Sequence, residues 1–181
     1  TITSWGRKNE VDTYRNMVKQ FGGNGKILAV VSDSYDIYNA CKLWGTELKD
    51  EVIASGATVV IRPDSGDPST VVVKCLYILE KYFGSITNEK GFRVLNNVRV
   101  IQGDGIDSTT FGMLMQRVVD LGYAPESVVM GSGGGLLQKV NRDTFSFAQK
   151  TSAILVGGVS TGKWIETVKD PITDHGKKSK G

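Results

Sequence analysis

Residue types that often carry catalysis or crosslinks are scarce in this chain of 181 residues, which has two cysteines and one histidine. Cys41 and Cys75 lie far apart in the sequence, and neither has a further Cys or a His at metal-ligand spacing. We therefore expect buried free thiols in a reducing compartment rather than a disulfide or a zinc site. His175 lies in a polar, basic segment, and we interpret it as a surface residue rather than a catalytic base.

Long apolar runs and a strong net charge are absent as well. No apolar run approaches the roughly 18 residues of a membrane span, and no signal peptide is visible, so we expect a cytoplasmic protein without a membrane partner. The net charge is +3, and much of it comes from the lysine-rich end, so bulk nucleic-acid binding is not expected. The chain begins at Thr1 and ends in a basic run, which suggests a piece of a longer protein.

Helical and strand patterns alternate along the chain. The spacing predicts helices over 9–21, 34–44, 46–54, 69–83 and 108–121, and strands over 26–32, 58–61, 98–101 and 128–130. It also predicts a polar excursion at 84–97, a short helical turn at 136–139, a bent strand at 145–156, a turn at 157–162 and a locally paired strand at 163–168. Repeated strand–helix units predict an α/β fold with a parallel sheet, either an open doubly wound sheet or part of a (β/α) barrel.

Each of the four strand patterns ends in acids, hydroxyls or glycines. The runs are ILAVVSDSYD at 27–36, TVVIRPDSG at 58–66, VRVIQGDGID at 98–107 and SVVMGSGGG at 127–135. Ligands of parallel α/β sheets bind at the carboxyl ends of the strands, so these ends are expected to form one site. One arginine, several acids and glycines at such a site favour a phosphorylated sugar.

Arg62, Asp64 and Ser65 follow the second strand. The guanidinium can bind phosphate or carboxylate bidentately, and the alternative is a structural ion pair with Asp64 or Asp67. Asp64 can accept from ribose hydroxyls or hold Mg²⁺ through water, whereas the alternative for Asp64 and Ser65 is to cap the helix before Pro68.

Glycines flank the candidate ligands of the third and fourth strands. Gly103 and Gly105 flank Asp104 and let the backbone approach a ligand, so that the Asp104 carboxylate can bind sugar hydroxyls. The alternative is that Asp104 forms an Asx turn. Asp107 is predicted to cap the next helix. The glycine loop at 131–135 lacks the ending of a Walker A motif but can present backbone N–H groups to a phosphate.

Five separated strings resemble one family over essentially the whole chain. They are VVSDSYDIYNAC at 30–41, VIRPDSGDP at 60–68, RVIQGDGID at 99–107, GSGGGLLQKVNRD at 131–143 and KDPITDHGKKSKG at 169–181. They resemble the nicotinamide phosphoribosyltransferases, within the nicotinate/nicotinamide phosphoribosyltransferase family. The resemblance implies a homodimer with shared active sites, which forms nicotinamide mononucleotide and pyrophosphate from nicotinamide and phosphoribosyl pyrophosphate. It also implies Mg²⁺ and coupled ATP hydrolysis.

The resemblance assigns roles to matching residues. Asp33 and Asp64 match catalytic acids, and Asp64 is also expected to contact Mg²⁺ through water. The expected substrate-binding residues are Arg62, Ser65, Gly103, Asp104, Gly133, Gly134, Arg142, Lys150, Lys169 and Lys177. Within this set, Asp104 matches the ribose-binding aspartate, Gly133 and Gly134 match the loop that holds the 5′-phosphate, and the cations after residue 140 match phosphate or pyrophosphate contacts.

The resemblance also implies that parts of the site lie outside this chain. The family's catalytic histidine is expected just before Thr1, and the residues that hold the nicotinamide ring belong to a preceding region. We therefore expect residues 1–156 to be part of a barrel-type phosphoribosyltransferase domain and 157–181 to be a C-terminal segment. Such a chain would bind ribose and phosphate without turnover alone. The alternatives are a nicotinate enzyme, a non-catalytic phosphosugar-binding protein and an unrelated barrel enzyme.

Overall fold

Four apolar runs form one parallel sheet in the computed structural model, which describes residues 2–133, 144–145, 149, 151–169 and 179–180. Within these residues the strands are β1 (Ile27–Val31), β2 (Thr58–Arg62), β3 (Ser85–Thr87), β4 (Arg93–Leu95), β5 (Val98–Gln102), β6 (Val128–Met130), β7 (Ala153–Val156), β8 (Lys163–Glu166), β9 (Val168–Lys169) and β10 (Ser179–Lys180). The parallel sheet has the order β1-β2-β5-β6. Val59 pairs with Val98, and Val100 pairs with Val128.

Six α-helices are present among the described residues, and five of them lie where the apolar spacing predicts a helix. They are α1 (Ile2–Trp5), α2 (Glu10–Phe21), α3 (Ile37–Thr46), α4 (Lys49–Ser55), α5 (Pro68–Phe83) and α6 (Ser108–Asp120), with 3₁₀ turns at Arg7–Asn9 and Pro125–Ser127. Only the single-turn α1 has no counterpart in the prediction. Each strand of the sheet before β6 is therefore followed by helix, as the β/α pattern indicates.

Aspartate side chains cap three of these helices, because a carboxylate satisfies backbone N–H groups that have no partner inside the helix. Asp36 caps α3, Asp67 caps α5, and Asp107 caps α6 in a capping box with Thr110. The prediction for Asp107 is confirmed. The alternative that Asp64 or Ser65 caps α5 is wrong, since the Thr70 N–H donates to Asp67, which directly precedes Pro68.

The strand order distinguishes the two expected architectures. Among the described residues, β1, β2, β5 and β6 join this sheet in chain order, each beside the one before it, and the order does not reverse. Because crossovers between parallel strands are right-handed, such an order places the connecting helices on one face, as in the wall of a (β/α) barrel. A doubly wound sheet reverses its order at a switch point. The predicted α/β class, with parallel β/α units that form part of a domain, is confirmed.

The core lies between this sheet and its helices. One face of the sheet is buried, through Val30, Ile61 and Val100, whereas Ile27 is 77% and Val129 42% exposed on the other face. Cys41 of α3 and Cys75 of α5 are buried free thiols, as expected. The neighbouring Cys75 thiol, together with burial, raises the pKa of Cys41, so it stays protonated.

The segment at 84–97 is more ordered than its sequence indicates. β3 and β4 form an antiparallel hairpin in which Ile86 pairs with Val94. The short strands and polar turn hide the alternation that predicts longer strands. Beyond the first compact unit, which ends at Lys139, β7 and β8 pair antiparallel, so the predicted local pairing around the turn at 157–162 is confirmed.

The second compact unit, Val140–Gly181, also contains the antiparallel pair β9–β10. The predicted helical turn at 136–139 and part of the predicted strand at 145–156 lie outside the described residues. The predicted domain boundary after residue 156 stays a prediction. Among the described residues, every helix is too short or too polar to cross a membrane.

A carboxylate holds the hairpin against α5. Glu80 accepts from the Arg93 guanidinium at 2.8 and 3.0 Å, from the Tyr123 hydroxyl at 2.6 Å and from Ser85 Oγ at 2.7 Å. Burial alone would raise the pKa of Glu80, but the hydrogen bonds from Tyr123 and Ser85 and the charge of Arg93 outweigh it and lower this pKa. The charged form is therefore the stabilising one.

We predict that Glu80→Gln lowers the free energy of unfolding by about 1–3 kcal/mol at neutral pH, because it weakens these bonds to a charged acceptor. Since the pKa of Glu80 is lower in the folded state, its contribution is present above about pH 4.5 and is lost as the pH falls below that value. Urea unfolding at neutral pH and well below pH 4.5 should show that acid lowers the free energy of unfolding less in Glu80→Gln than in the unaltered protein. Glu89→Gln, in the exposed turn of the hairpin, is the control. Equal losses of unfolding free energy in Glu80→Gln and Glu89→Gln would contradict this role of Glu80.

Candidate functional site

The carboxyl ends of the four parallel strands lie side by side. Hydrogen bonding between neighbours continues past the strands themselves, because the Ser32 N–H donates to the Arg62 carbonyl at 3.0 Å and the Gly131 N–H donates to the Gln102 carbonyl at 2.9 Å. The loops that carry the acids, the arginine and the glycines therefore begin at one level. The expected gathering of these residues at one end of the sheet is present.

Asp33 connects the first two loops. Its Oδ2 accepts from the Asp64 N–H at 2.8 Å and from Ser65 Oγ at 2.7 Å. Asp33 Oδ1 has no hydrogen bond within the described residues. The carboxylate therefore holds the turn after β2 with one oxygen and leaves the other for a ligand or a water molecule.

A buried polar cluster supports the end of β1 from the helix side. Ser32 Oγ donates to the Val30 carbonyl at 3.0 Å and accepts from Trp44 Nε1 at 3.2 Å. The Trp44 ring stacks on Tyr14, with centroids 4.8 Å apart, and the Tyr14 hydroxyl donates to Glu10 at 2.9 Å. Burial is the main cause that raises the pKa of Tyr14, so its proton is retained. Trp44 is fully buried in the core, and its indole N–H also fixes the residue that precedes Asp33.

Arg62 pairs with Asp64. Its Nη2 and Nε lie 2.9 and 3.3 Å from Asp64 Oδ1, and the two side chains are 39% and 47% exposed. The ion-pair alternative is thus the arrangement without ligand, with Asp64 rather than Asp67 as the partner. An exposed pair of this kind contributes at most about 1 kcal/mol, so an anionic ligand can replace Asp64 at the guanidinium. Asp64 Oδ2 has no hydrogen bond within the described residues.

Gly103 makes room for the guanidinium. A Cβ at this position would lie 3.3 Å from Arg62 Nη2, tighter than an ordinary contact. A Cβ at Gly131 would in turn lie 3.5 Å from the Gly103 Cα. The distance at Gly131 is an ordinary contact, so it is the absence of a side chain at Gly103 that leaves room for the Arg62 guanidinium.

The carboxylate of Asp104 has fewer hydrogen-bond partners among the described residues than those of Asp33 and Asp64. It is exposed, it precedes Gly105 with a φ of +68°, and its carboxylate has no hydrogen bond within the described residues. The alternative of an Asx turn is wrong, because such a turn requires the carboxylate to accept from the local backbone. Both oxygens are available to a ligand, as recognition of two adjacent hydroxyls requires.

The remaining expected site residues are only partly described. Gly133 is exposed in the loop after β6, and Lys169 lies in β9 of the second unit. Gly134, Arg142, Lys150 and Lys177 lie outside the described residues. Their expected phosphate contacts stay predictions.

The metal contact also stays a prediction. In the part of the chain that the structure describes, no three Asp, Glu, Cys or His side chains lie together as a metal cluster. Mg²⁺ in substrate complexes is commonly held by one or two carboxylates, waters and phosphate oxygens, so it does not need such a cluster. The free Oδ2 of Asp64 and the free Oδ1 of Asp33 fit this mode.

Together, these features define an α/β protein whose parallel strands end in a site for a hydroxylated, anionic ligand. A model of the nicotinate phosphoribosyltransferase (NAPRTase) family matches residues 1–181, and the chain belongs to that family.

Several similar proteins, among them the following three, carry the name nicotinamide phosphoribosyltransferase. The protein of Xanthomonas campestris pv. campestris is 59% identical over 181 residues, which is 99% of this chain and 38% of the relative. That of Mycoplasma genitalium is 33% identical, over 97% of this chain and 41% of the relative. That of Acinetobacter baylyi is 31% identical, over 94% of this chain and 37% of the relative. The chain thus spans about two-fifths of the length of these relatives.

We predict that Asp33→Ala frees the turn after β2, because the Asp64 N–H and the Ser65 hydroxyl both lose their acceptor. Amide hydrogen exchange at Asp64 should accelerate about tenfold, which corresponds to roughly one hydrogen bond of this kind. Ser34→Ala changes a neighbouring residue with no hydrogen bond to this turn and serves as the control. An unchanged exchange rate at Asp64 in Asp33→Ala would contradict the proposed bridge.

Proposed function

We propose that this chain forms part of the catalytic domain of a nicotinamide phosphoribosyltransferase. The reaction would join nicotinamide to the ribose of phosphoribosyl pyrophosphate, with release of pyrophosphate, in NAD synthesis. The family match and the relatives' names support this activity. At the level of residues, the observation that carries it is the carboxylate of Asp104, which is exposed, has no hydrogen bond within the described residues and follows Gly103, the residue packed against the Arg62 guanidinium.

The chemistry needs little from acid–base groups. The ring nitrogen of nicotinamide displaces pyrophosphate at C1 of the ribose, and positive charge develops on the sugar at an oxocarbenium-like transition state. Asp104 would accept from the ribose hydroxyls and so hold C1 in line with the nucleophile. Arg62 would exchange its contact with Asp64 for an anionic oxygen of the substrate and stabilise charge on the leaving group.

Asp33 would have a structural part in addition to the catalytic one that the family resemblance implies. Its Oδ2 is occupied by the turn that carries Asp64 and Ser65, so the residue acts first by holding that turn in place. Its second oxygen remains available for a water molecule or a ligand. Asp64 would become free to contact a ligand when Arg62 moves to the substrate.

Mg²⁺ fits this site through the free oxygens of Asp64 and Asp33, with water molecules and substrate oxygens as the other ligands. When bound, it would neutralise charge on the pyrophosphate. ATP as a coupled substrate, a homodimer with shared sites and a cytoplasmic location are further parts of the proposal. They rest on the family resemblance and, for the reducing compartment, on the unpaired thiols of Cys41 and Cys75.

Binding of phosphoribosyl pyrophosphate tests the proposal directly. Titration calorimetry with Mg²⁺, on the longest natural chain that contains residues 1–181, should show saturable binding to the folded protein. Asp104→Asn should weaken it about 10- to 100-fold, because hydrogen bonds to a charged acceptor are lost. Asp120→Asn, in the last turn of α6 and so at the opposite end of the sheet, should bind as the unaltered protein does.

Three outcomes would count against the proposal. They are no heat with a folded protein, equal affinity in Asp104→Asn, and equal weakening in both variants. Binding without formation of nicotinamide mononucleotide, when nicotinamide and ATP are also supplied, would favour the alternative of a non-catalytic phosphosugar-binding protein. Turnover with nicotinate in place of nicotinamide would favour the nicotinate enzyme.

A further inference from the structure

Gln102 is a buried polar residue whose side chain is only half satisfied. It ends β5, it is 1% exposed, and its side-chain amide donates through Nε2 to the Asp104 carbonyl at 2.8 Å. Its Oε1 is buried and has no hydrogen-bond partner in the described part of the chain. A buried amide oxygen without a partner destabilises the folded state, so the residue needs an explanation beyond packing.

The orientation of the amide group is fixed by its neighbour. If the two ends of the amide were exchanged, Oε1 would face the Asp104 carbonyl, and two acceptors would repel each other. Gln102 therefore keeps its donor on the loop and leaves its acceptor without a partner. Gln102 lies on the same face of β5 as Val98 and Val100, which are fully buried. An apolar residue of similar size would therefore suit that face of the strand better.

Two further side chains hold the same loop. Thr110 Oγ1 donates to the Gly105 carbonyl at 2.8 Å, and Ser132 Oγ donates to the Ile106 carbonyl at 2.7 Å. Three consecutive carbonyls, from Asp104 to Ile106, thus accept from side chains of β5, α6 and the loop after β6. All these contacts use the backbone of the loop, and none uses the carboxylate of Asp104.

We propose that Gln102 is a positioning residue, which fixes the loop of Asp104 in its ligand-binding conformation at the expense of stability. This inference rests on the proposed function, in which Asp104 binds the ribose. Holding the loop before the ligand arrives reduces the conformational entropy that binding would otherwise lose. Gln102 does not contact the substrate, and it acts only through the Asp104 carbonyl.

Gln102→Met tests the inference, because it keeps the size of the side chain and removes both the donor and the unpartnered oxygen. On the longest natural chain that contains these residues, we expect a melting temperature equal to or above that of the unaltered protein. The Kd for phosphoribosyl pyrophosphate with Mg²⁺ should rise about 3- to 10-fold, as for loss of one hydrogen bond. A residue that serves packing alone would show the reverse: lower stability and unchanged affinity.

A double-mutant comparison separates this inference from the proposed function. In an Asp104→Asn background, Gln102→Met should weaken binding much less than it does alone, because the loop no longer presents a carboxylate. If Asp104→Asn has no effect on affinity, the proposed function fails. If Asp104→Asn weakens binding but Gln102→Met does not, or if the two effects are additive, the role of Gln102 is overturned.

Hydrogen exchange of the unaltered protein gives a test that needs no variant and so remains informative if Gln102→Met does not fold. The amide of Asp107, at the end of this loop, donates to Thr110 Oγ1 at 2.8 Å, and it should exchange slowly before phosphoribosyl pyrophosphate is added and change little after it. A large slowing that appears only with the ligand would show that the ligand orders the loop. That result would overturn the inference.

Discussion

The parallel pairing of β1, β2, β5 and β6 in register is the constraint on which the candidate site depends. It places residues that are distant in the sequence at one end of the sheet, and the hydrogen bonds from Ser32 and Gly131 extend that alignment into the loops. A slip of one residue would turn the buried face of a strand outward, so the core that fixes the register also fixes the loops. Packing and ligand binding are thereby linked through the backbone.

Asp33, Asp64 and Asp104 lie at this end of the sheet, and their hydrogen bonds differ. Asp33 uses one oxygen to hold the turn after β2, Asp64 neutralises Arg62, and Asp104 has no partner for its carboxylate within the described residues. Such a division suits a substrate with both hydroxyl and anionic groups. In our proposal, the first acid holds the turn after β2, an anionic ligand displaces the second from Arg62, and Gln102 holds the loop of the third in place.

Local patterns were enough to predict the four parallel strands, five of the helices and the cap at Asp107, because apolar spacing and capping chemistry act within a few residues. The hairpin at 85–95 was missed, since its strands are too short to show alternation. The bridge from Asp33 to Ser65 spans 32 residues and depends on the sheet register, which no local pattern contains. The half-satisfied amide of Gln102 likewise becomes visible only when burial is known.

The central claim is that the carboxyl ends of these strands hold the phosphoribosyl group. A crystal structure of the protein with phosphoribosyl pyrophosphate and Mg²⁺ tests it most directly. The account predicts ribose hydroxyls at about 2.6–2.9 Å from the carboxylate of Asp104 and an anionic oxygen at the guanidinium of Arg62 in place of Asp64. A ligand bound elsewhere, or a ribose at this end of the sheet with Asp104 still free, would contradict it.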